Sequence, residues 1–379
     1  MAATVVHHGM RYVFLTRGYY MKYLYVLFFM LGLGVLTGCS SSSDVAITEL
    51  SSDSAEDIQK RIMGNEFNLD DLNEKCNDDV GLACTSLGLL YTYGQGVEKD
   101  YVKANEFFLK GCDLNEGLAC NGIGALYNEG LGVNQDFERS RAFFEKGCNL
   151  NNGESCGNLG SMYKTAKGVK QDVNKANEIY GKGCELKDGK SCHNLGVAYQ
   201  KAEGVTQDFA KAVDYYNRGC EYNEGHACGN LGALYGNGNG VPKDFNKAAE
   251  LFVKGCQFND GMSCKNLGVL HSMGNGVEKD DAKAIELYDK GCKLREGSSC
   301  ANLAVAYIKG QGVQTDFNKA NELFKTGCDL NSSVSCNGLA ASYINGVGVP
   351  KNRQEAKVLY EKSCRLGNKT GCSNFQKIR

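Results

Sequence analysis

Eighteen cysteines of this chain fall on a fixed grid. They form nine Cys-x7-Cys pairs, and each pair begins 36 residues after the one before it, without a single insertion. The pairs are Cys76 and Cys84, Cys112 and Cys120, Cys148 and Cys156, Cys184 and Cys192, Cys220 and Cys228, Cys256 and Cys264, Cys292 and Cys300, Cys328 and Cys336, and Cys364 and Cys372. Self-similarity at such a period marks an array whose units pack mainly on their neighbours. It overrides the two or three globular domains that 379 residues would otherwise suggest.

Aligning the chain on itself at this period assigns a role to each column. After Cys120 the chain reads Asn121-Gly122-Ile123-Gly124-Ala125-Leu126-Tyr127, and after Cys192 it reads His193-Asn194-Leu195-Gly196-Val197-Ala198-Tyr199. Cys, Leu, Gly and Tyr then lie at i, i+3, i+4 and i+7, one stripe of an amphipathic helix, here called helix A. A small residue on that stripe costs helix propensity, so Gly88, Gly160, Gly232 and Ala304 point to close contact with a second helix. A Gly-x-Gly-Val turn follows, and its second Gly (Gly96 to Gly348) recurs in every copy, as a positive-φ position requires. Asp100 and its equivalents, with Asn352 in the last copy, suit the N-cap of a helix B carrying residues such as Ala104, Phe107 and Phe108. Two antiparallel helices per copy give an all-α solenoid of about eight to nine repeats.

Each Cys-x7-Cys spans the end of helix B, a short loop and the start of the next helix A. A local bridge there closes a loop of about nine residues, worth roughly 2.5 kcal/mol in the chain-entropy model. Proximity favours this pairing, although the sequence permits many others. Zinc is disfavoured, because its sites use closely spaced Cys knuckles or nearby His. The composition, 19 Cys in one chain, therefore points to an oxidising compartment.

The amino-terminal segment agrees. From Met21 a short basic start leads into an apolar run that ends at Leu36-Thr37-Gly38-Cys39. Residues 1–38 read as an export signal whose true start is Met21. The run is short for a membrane-spanning helix. The four residues ending at Cys39 resemble a bacterial lipobox, which makes Cys39 a lipidated mature amino terminus and a membrane anchor. Residues 39–64 then form a Ser-rich tether, and residues 65–379 the solenoid.

The consensus A-x4-[FY]-x-K-G-C-x-L-x2-G-x2-C-x-N-L-G-x2-Y-x2-G-x-G-V-x2-D resembles the Sel-like repeat. With one Cys-x7-Cys per copy, from about Phe67 to Cys372, it is similar to the Helicobacter cysteine-rich protein family. The resemblance implies a right-handed α/α superhelix of the tetratricopeptide type. It implies one bridge per repeat joining helix B to the next helix A, and a secreted or periplasmic setting. Members of that family are often labelled β-lactamases because some bind penicillins, and others are regarded as partner-binding proteins. The last copy departs from the pattern at Arg353, Glu355 and Ser363, as suits a terminal cap.

Catalytic motifs are sparse. A serine β-lactamase needs Ser-x-x-Lys, an Ser-Asp-Asn-like element and Lys-Thr-Gly. The chain holds Ser161-Met162-Tyr163-Lys164, and Lys-Thr-Gly at Lys325-Thr326-Gly327 and Lys369-Thr370-Gly371. Ser161 stands in a helix A column otherwise filled by Leu, Ala and Val, and the other strings lie four to six repeats away. Ser161 and Lys164 are the weak catalytic candidates, with penicillin binding and β-lactam hydrolysis as the alternative function. His193, His226 and His271 occupy different columns and form no metal-ligand spacing, so neither metal nor cofactor is expected.

The favoured reading is a scaffold for a protein, peptide or peptidoglycan-derived partner bound on the concave face. Two helix A columns vary most: Thr85, Asn121, Gly157, His193, Gly229, Lys265, Ala301 and Asn337, and the column eight residues after each second Cys. Such variation along a repeated frame is how a solenoid encodes a ligand surface. Asn158, Asn194, Asn230, Asn266 and Asn302 recur two residues after the Cys, where an amide can bond an extended peptide or the adjacent repeat. Asp329-Leu330-Asn331-Ser332-Ser333 resembles an acidic N-glycosylation sequon at Asn331. With 42 basic and 44 acidic side chains the chain offers no field for nucleic acid. The setting expected is an outer-membrane lipoprotein facing the periplasm, or secretion.

Overall fold

The computed structural model describes residues 68–378, which hold 18 helices and no strand. The signal, Cys39 and the Ser-rich tether lie outside the described residues. Helices A are α2 (Gly81–Tyr93), α4 (Gly117–Glu129), α6 (Gly153–Thr165), α8 (Gly189–Lys201), α10 (Gly225–Asn237), α12 (Gly261–Met273), α14 (Gly297–Lys309) and α16 (Ser333–Asn345). Helices B are α3 (Tyr101–Asp113), α5 (Phe137–Asn149), α7 (Val173–Glu185), α9 (Phe209–Glu221), α11 (Phe245–Gln257), α13 (Asp281–Lys293), α15 (Phe317–Asp329) and α17 (Arg353–Arg365). Two shorter helices, α1 (Leu69–Asn77) and α18 (Lys369–Lys377), close the ends.

Local chemistry marks the starts of helices B and the ends of helices A. The carboxylate of Asp136, Asp172, Asp208, Asp244, Asp280 or Asp316 accepts from the backbone N–H three residues on, and Asn352 does the same for α17. Helices A end in a left-handed residue, Gly in most copies and Ala166 or Ala202 in two. The following Gly has φ between 62° and 76° in all eight turns. At Gly240 (φ 76°) a Cβ would also stand 2.5 Å from Phe209 Cβ, so two independent constraints fix glycine there.

Packing follows the stripe. Cys84 and Leu87 are fully buried, and Gly88 lies against Phe108, where an added Cβ would meet the ring at 2.5 Å. Gly160 abuts the Tyr180 ring in the same way. A second close approach joins the ends of the helices, for Gly111 faces Ala119 and Gly147 faces Ser155. In the last copy the pair is exchanged: Ser363 replaces the Gly, and Gly371 takes the facing position. That exchange accounts for the departure from consensus at Ser363.

The nine disulfides join each Cys to the one eight residues later, with Cα–Cα distances of 4.4–4.8 Å. Seven tie the end of one helix B to the start of the next helix A, while the first joins α1 to α2 and the last α17 to α18, so the pairs are bridges between repeats. Each helix A also touches the helix A of the next repeat, whereas helices B make at most marginal contact with the next B. The A helices therefore line the inner side of the stack. Thiols paired in this way belong to a non-reducing environment. Among the described residues no helix is long and apolar enough to cross a membrane.

Candidate functional site

The inner face is built from helix A columns, and the Asn column lies on it. Its register with the preceding repeat decides what each Asn does. The Nδ2 of Asn158 donates to Asn121 Oδ1 at 2.8 Å, and that of Asn374 donates to Asn337 Oδ1 at 3.2 Å. Asn230 Nδ2 lies 2.9 Å from His193 Nε2. In every case the partner is the residue one after the Cys in the previous repeat. For Asn194 and Asn266 that position is Gly157 or Gly229, which has no side chain. For Asn302 it is Lys265, which has no acceptor. The side-chain amides of Asn194, Asn266 and Asn302 make no hydrogen bond among the described residues. Two of the five candidates are thus committed to a neighbouring repeat, and three present open amides on the inner face.

Gly157 and Gly229 have a second effect. A Cβ there would lie 2.6 Å from Asp188 Oδ2 or 2.5 Å from Asp260 Oδ2, so the glycines make room for these carboxylates. Asp188 and Asp260 cap α8 and α12, accepting from the N–H and the hydroxyl of Ser191 and Ser263. Asp260 also reaches back to His226 Nδ1 at 2.9 Å. This bond, ahead of opposing burial, raises the His226 pKa. Burial works against the charge of Asp260, yet its bonds to His226 and Ser263 hold its pKa below the ordinary value. Asp188 lacks a His partner, and burial pushes its pKa up. Burial also lowers His193 to about 4, with the neighbouring His226 acting in the same direction. The His193 ring stacks at a tilt between Tyr216 and His226, with centroids 5.8 and 5.9 Å away. Periodicity does not reveal this cluster, because it forms between columns of successive repeats. A hint is the Ser that stands three residues after Asn152, Asp188, Asp260 and Ser332, the N-cap spacing.

The structure gives Ser161 and Lys164 different partners. Ser161 and Tyr180 share a hydrogen bond of 3.1 Å between their hydroxyls. Burial raises the Tyr180 pKa, so its phenol is neutral at physiological pH. Lys164 Nζ pairs with Glu203 of the next repeat at 2.7 Å. Lys325-Thr326-Gly327 lies in α15, where the Thr326 hydroxyl bonds the Glu322 carbonyl, and Lys369-Thr370-Gly371 opens α18. Neither α15 nor α18 touches α6, so these strings are not brought to Ser161. Among the described residues no group of three or more His, Cys, Asp or Glu is placed to hold a metal. Asn331 is exposed at φ 62° in the bridge loop before α16, and Ser332 beside it caps that helix.

This geometry defines a class: a helical-repeat scaffold stapled at every joint by a disulfide. The Sel1 repeat model matches eight times, at residues 81–116, 117–152, 153–188, 189–221, 225–257, 261–295, 297–332 and 333–368, and the chain belongs to the Sel1 repeat family. Two solved structures share the fold. One is c5321 of uropathogenic Escherichia coli, a protective antigen displaying an SLR fold (22% identity, 89% of this chain, 82% of that chain, TM-score 0.56). The other is a Sel1 repeat protein from Oxalobacter formigenes (24% identity, 64% of this chain, 96% of that chain, TM-score 0.58). Cysteine rich protein B of Helicobacter pylori is 32% identical over 36% of this chain and 98% of that chain, with a TM-score of 0.30. Among curated proteins no sequence matches.

Proposed function

We propose that this chain is an exported, lipid-anchored scaffold that binds an extended segment of a protein partner along its helices A. The observation that carries the reading is the set of open amides at Asn194, Asn266 and Asn302, in a column whose other amides bond between repeats. An amide side chain supplies both a donor and an acceptor, the complement of a backbone peptide group. Packed helices lie roughly 8–10 Å apart, the reach of about three residues of extended chain, so Asn266 and Asn302 can bond one strand at two points. Export rests on the amino-terminal signal, the lipobox at Cys39 and the nine bridges.

The test is selection of binders from a random peptide library, followed by Asn194→Ala, Asn266→Ala and Asn302→Ala combined. Each backbone hydrogen bond contributes roughly 0.5–1.5 kcal/mol, so the triple variant should bind selected peptides at least tenfold more weakly. Equal binding by wild type and variant would remove the groove reading. Mass spectrometry of the mature protein should find an acylated Cys39, and any other amino terminus refutes the anchor.

A further inference from the structure

The first residue of helix B is aromatic in most repeats: Tyr101, Phe137, Phe209, Phe245 and Phe317. In four of these the ring enters a core cluster together with the turn valine of the next repeat, as Phe209 does with Val241 and Phe245 with Val277. At the start of α13 the position holds Asp281 instead. The cluster there has only Ala284, Tyr288 and Leu303 as buried members, and the turn residue Val313 stays outside it. In place of a ring there is a cavity of about 160 Å³ between α12, α13 and α14. Its walls include Ile285 and Val305, and its polar groups are Ser272, Asp281, Tyr288, Asn302 and Gln311.

Ser272 also donates to the Val269 carbonyl at 3.0 Å, so the open polar groups of this cavity are the second Asp281 oxygen and the Asn302 amide. Asp281 Oδ1 accepts from Gln311 Nε2 at 2.8 Å, but the nearest cation to Oδ2 is the largely exposed Lys279 at 3.9 Å, beyond hydrogen-bond distance. Tyr288 donates to Ser272 Oγ over 3.5 Å, and Asn302 is one of the three open amides of the groove. Burial keeps the Tyr288 phenol neutral.

We propose that this cavity seats one basic side chain of the extended segment bound along helices A. The proposal rests on the groove reading above. An aliphatic stem lies along Ile285 and Val305, and the cation replaces Lys279 as the partner of Asp281 and bonds Asn302 Oδ1. Charge-assisted hydrogen bonds are roughly twice as strong as neutral ones, which favours a cation over an amide or hydroxyl here. The volume admits one side chain and falls below the roughly 300–1,000 Å³ of drug-sized ligand sites.

The experiment uses the isotope-labelled mature chain and the capped pentapeptide Ala-Ala-Lys-Ala-Ala, with norleucine in place of lysine as comparison. The lysine peptide should shift the NMR signals of Asn302 and Ser272 and bind at least tenfold more tightly than the norleucine peptide. Asp281→Phe restores the aromatic used by sister repeats and should abolish the difference, while signals away from α12–α14 stay unchanged. Asp281→Asn keeps the shape and should weaken lysine binding at least tenfold. Equal binding of the two peptides, or undiminished lysine binding by Asp281→Phe, overturns the proposal. Shifts at Asn194 and Asn266 without any at Asn302 would overturn the cavity and leave the groove. No shift at any of the three overturns both.

Discussion

His193 should make the middle of the stack sensitive to acid, and His193→Asn should remove that sensitivity. The ring lies on α8 and meets the amide of Asn230 from the next repeat at 2.9 Å, a bond in which neutral Nε2 is the acceptor. Burial lowers its pKa from 6.5 to about 4, with His226, Lys164 and Lys201 adding to the effect and Asp260 opposing it. Because the folded value lies below the unfolded one, the stability held by the neutral ring is complete above pH 6.5. It is lost as the pH falls toward 4. A gap of about 2.5 pH units corresponds to about 3 kcal/mol at the acid limit, and to about 1 kcal/mol at pH 5.5. Asn is the residue of this column in two other repeats, and Asn121 accepts the ladder bond from Asn158 at 2.8 Å. The variant therefore keeps the acceptor and loses the titration. His226 works in the opposite sense: its raised pKa gives stability below pH 6.5 that fades as the pH rises through the folded value. The bond of His226 to Asp260 is present in both proteins, and the repulsion between His226 and a charged His193 is part of the acid loss that the variant removes. Hydrogen exchange of the α8 and α10 amides between pH 7 and pH 5 reads the difference. Equal acid loss in the two proteins, or an NMR titration of His193 centred near 6.5, would refute the reasoning.

Three further outcomes follow from the packing. Replacing Cys184 and Cys192 together by Ala should cost roughly 2.5 kcal/mol and open the loop around Leu186 to limited proteolysis; unchanged cleavage would count against the staple. Gly160→Val drives a branched side chain into the Tyr180 ring, 2.7 Å from an added Cβ, and should destabilise by about 1–3 kcal/mol in urea unfolding. Gly371→Ser should be destabilising alone and tolerated with Ser363→Gly, which recreates the Gly327 and Ser335 arrangement; additive effects would contradict the exchange.

Much of this fold is legible in the sequence because the repeat shows every column eight or nine times. The Cys-Leu-Gly-Tyr stripe, the positive-φ Gly and the capping Asp each follow from local geometry, and the structure places them accordingly. The candidate site is less legible because its properties arise between columns. Nothing in the Asn column itself separates Asn158 from Asn194. The difference is Asn121 against Gly157, 37 residues upstream and brought alongside only by the superhelical register. Asp281 is visible as a break in an aromatic column, but only the packing shows that the break leaves a cavity. Ser161 illustrates the converse: its spacing to Lys164 satisfies a motif, while the folded chain gives that lysine to Glu203.

The central claim is a solenoid bridged at every joint, and a non-reducing peptide map of the exported protein tests it most directly. Nine local bridges, each joining a Cys to the one eight residues later, are the result this account predicts. Free thiols, bound zinc or bridges between distant repeats would contradict it, and with it the export on which the proposed function depends.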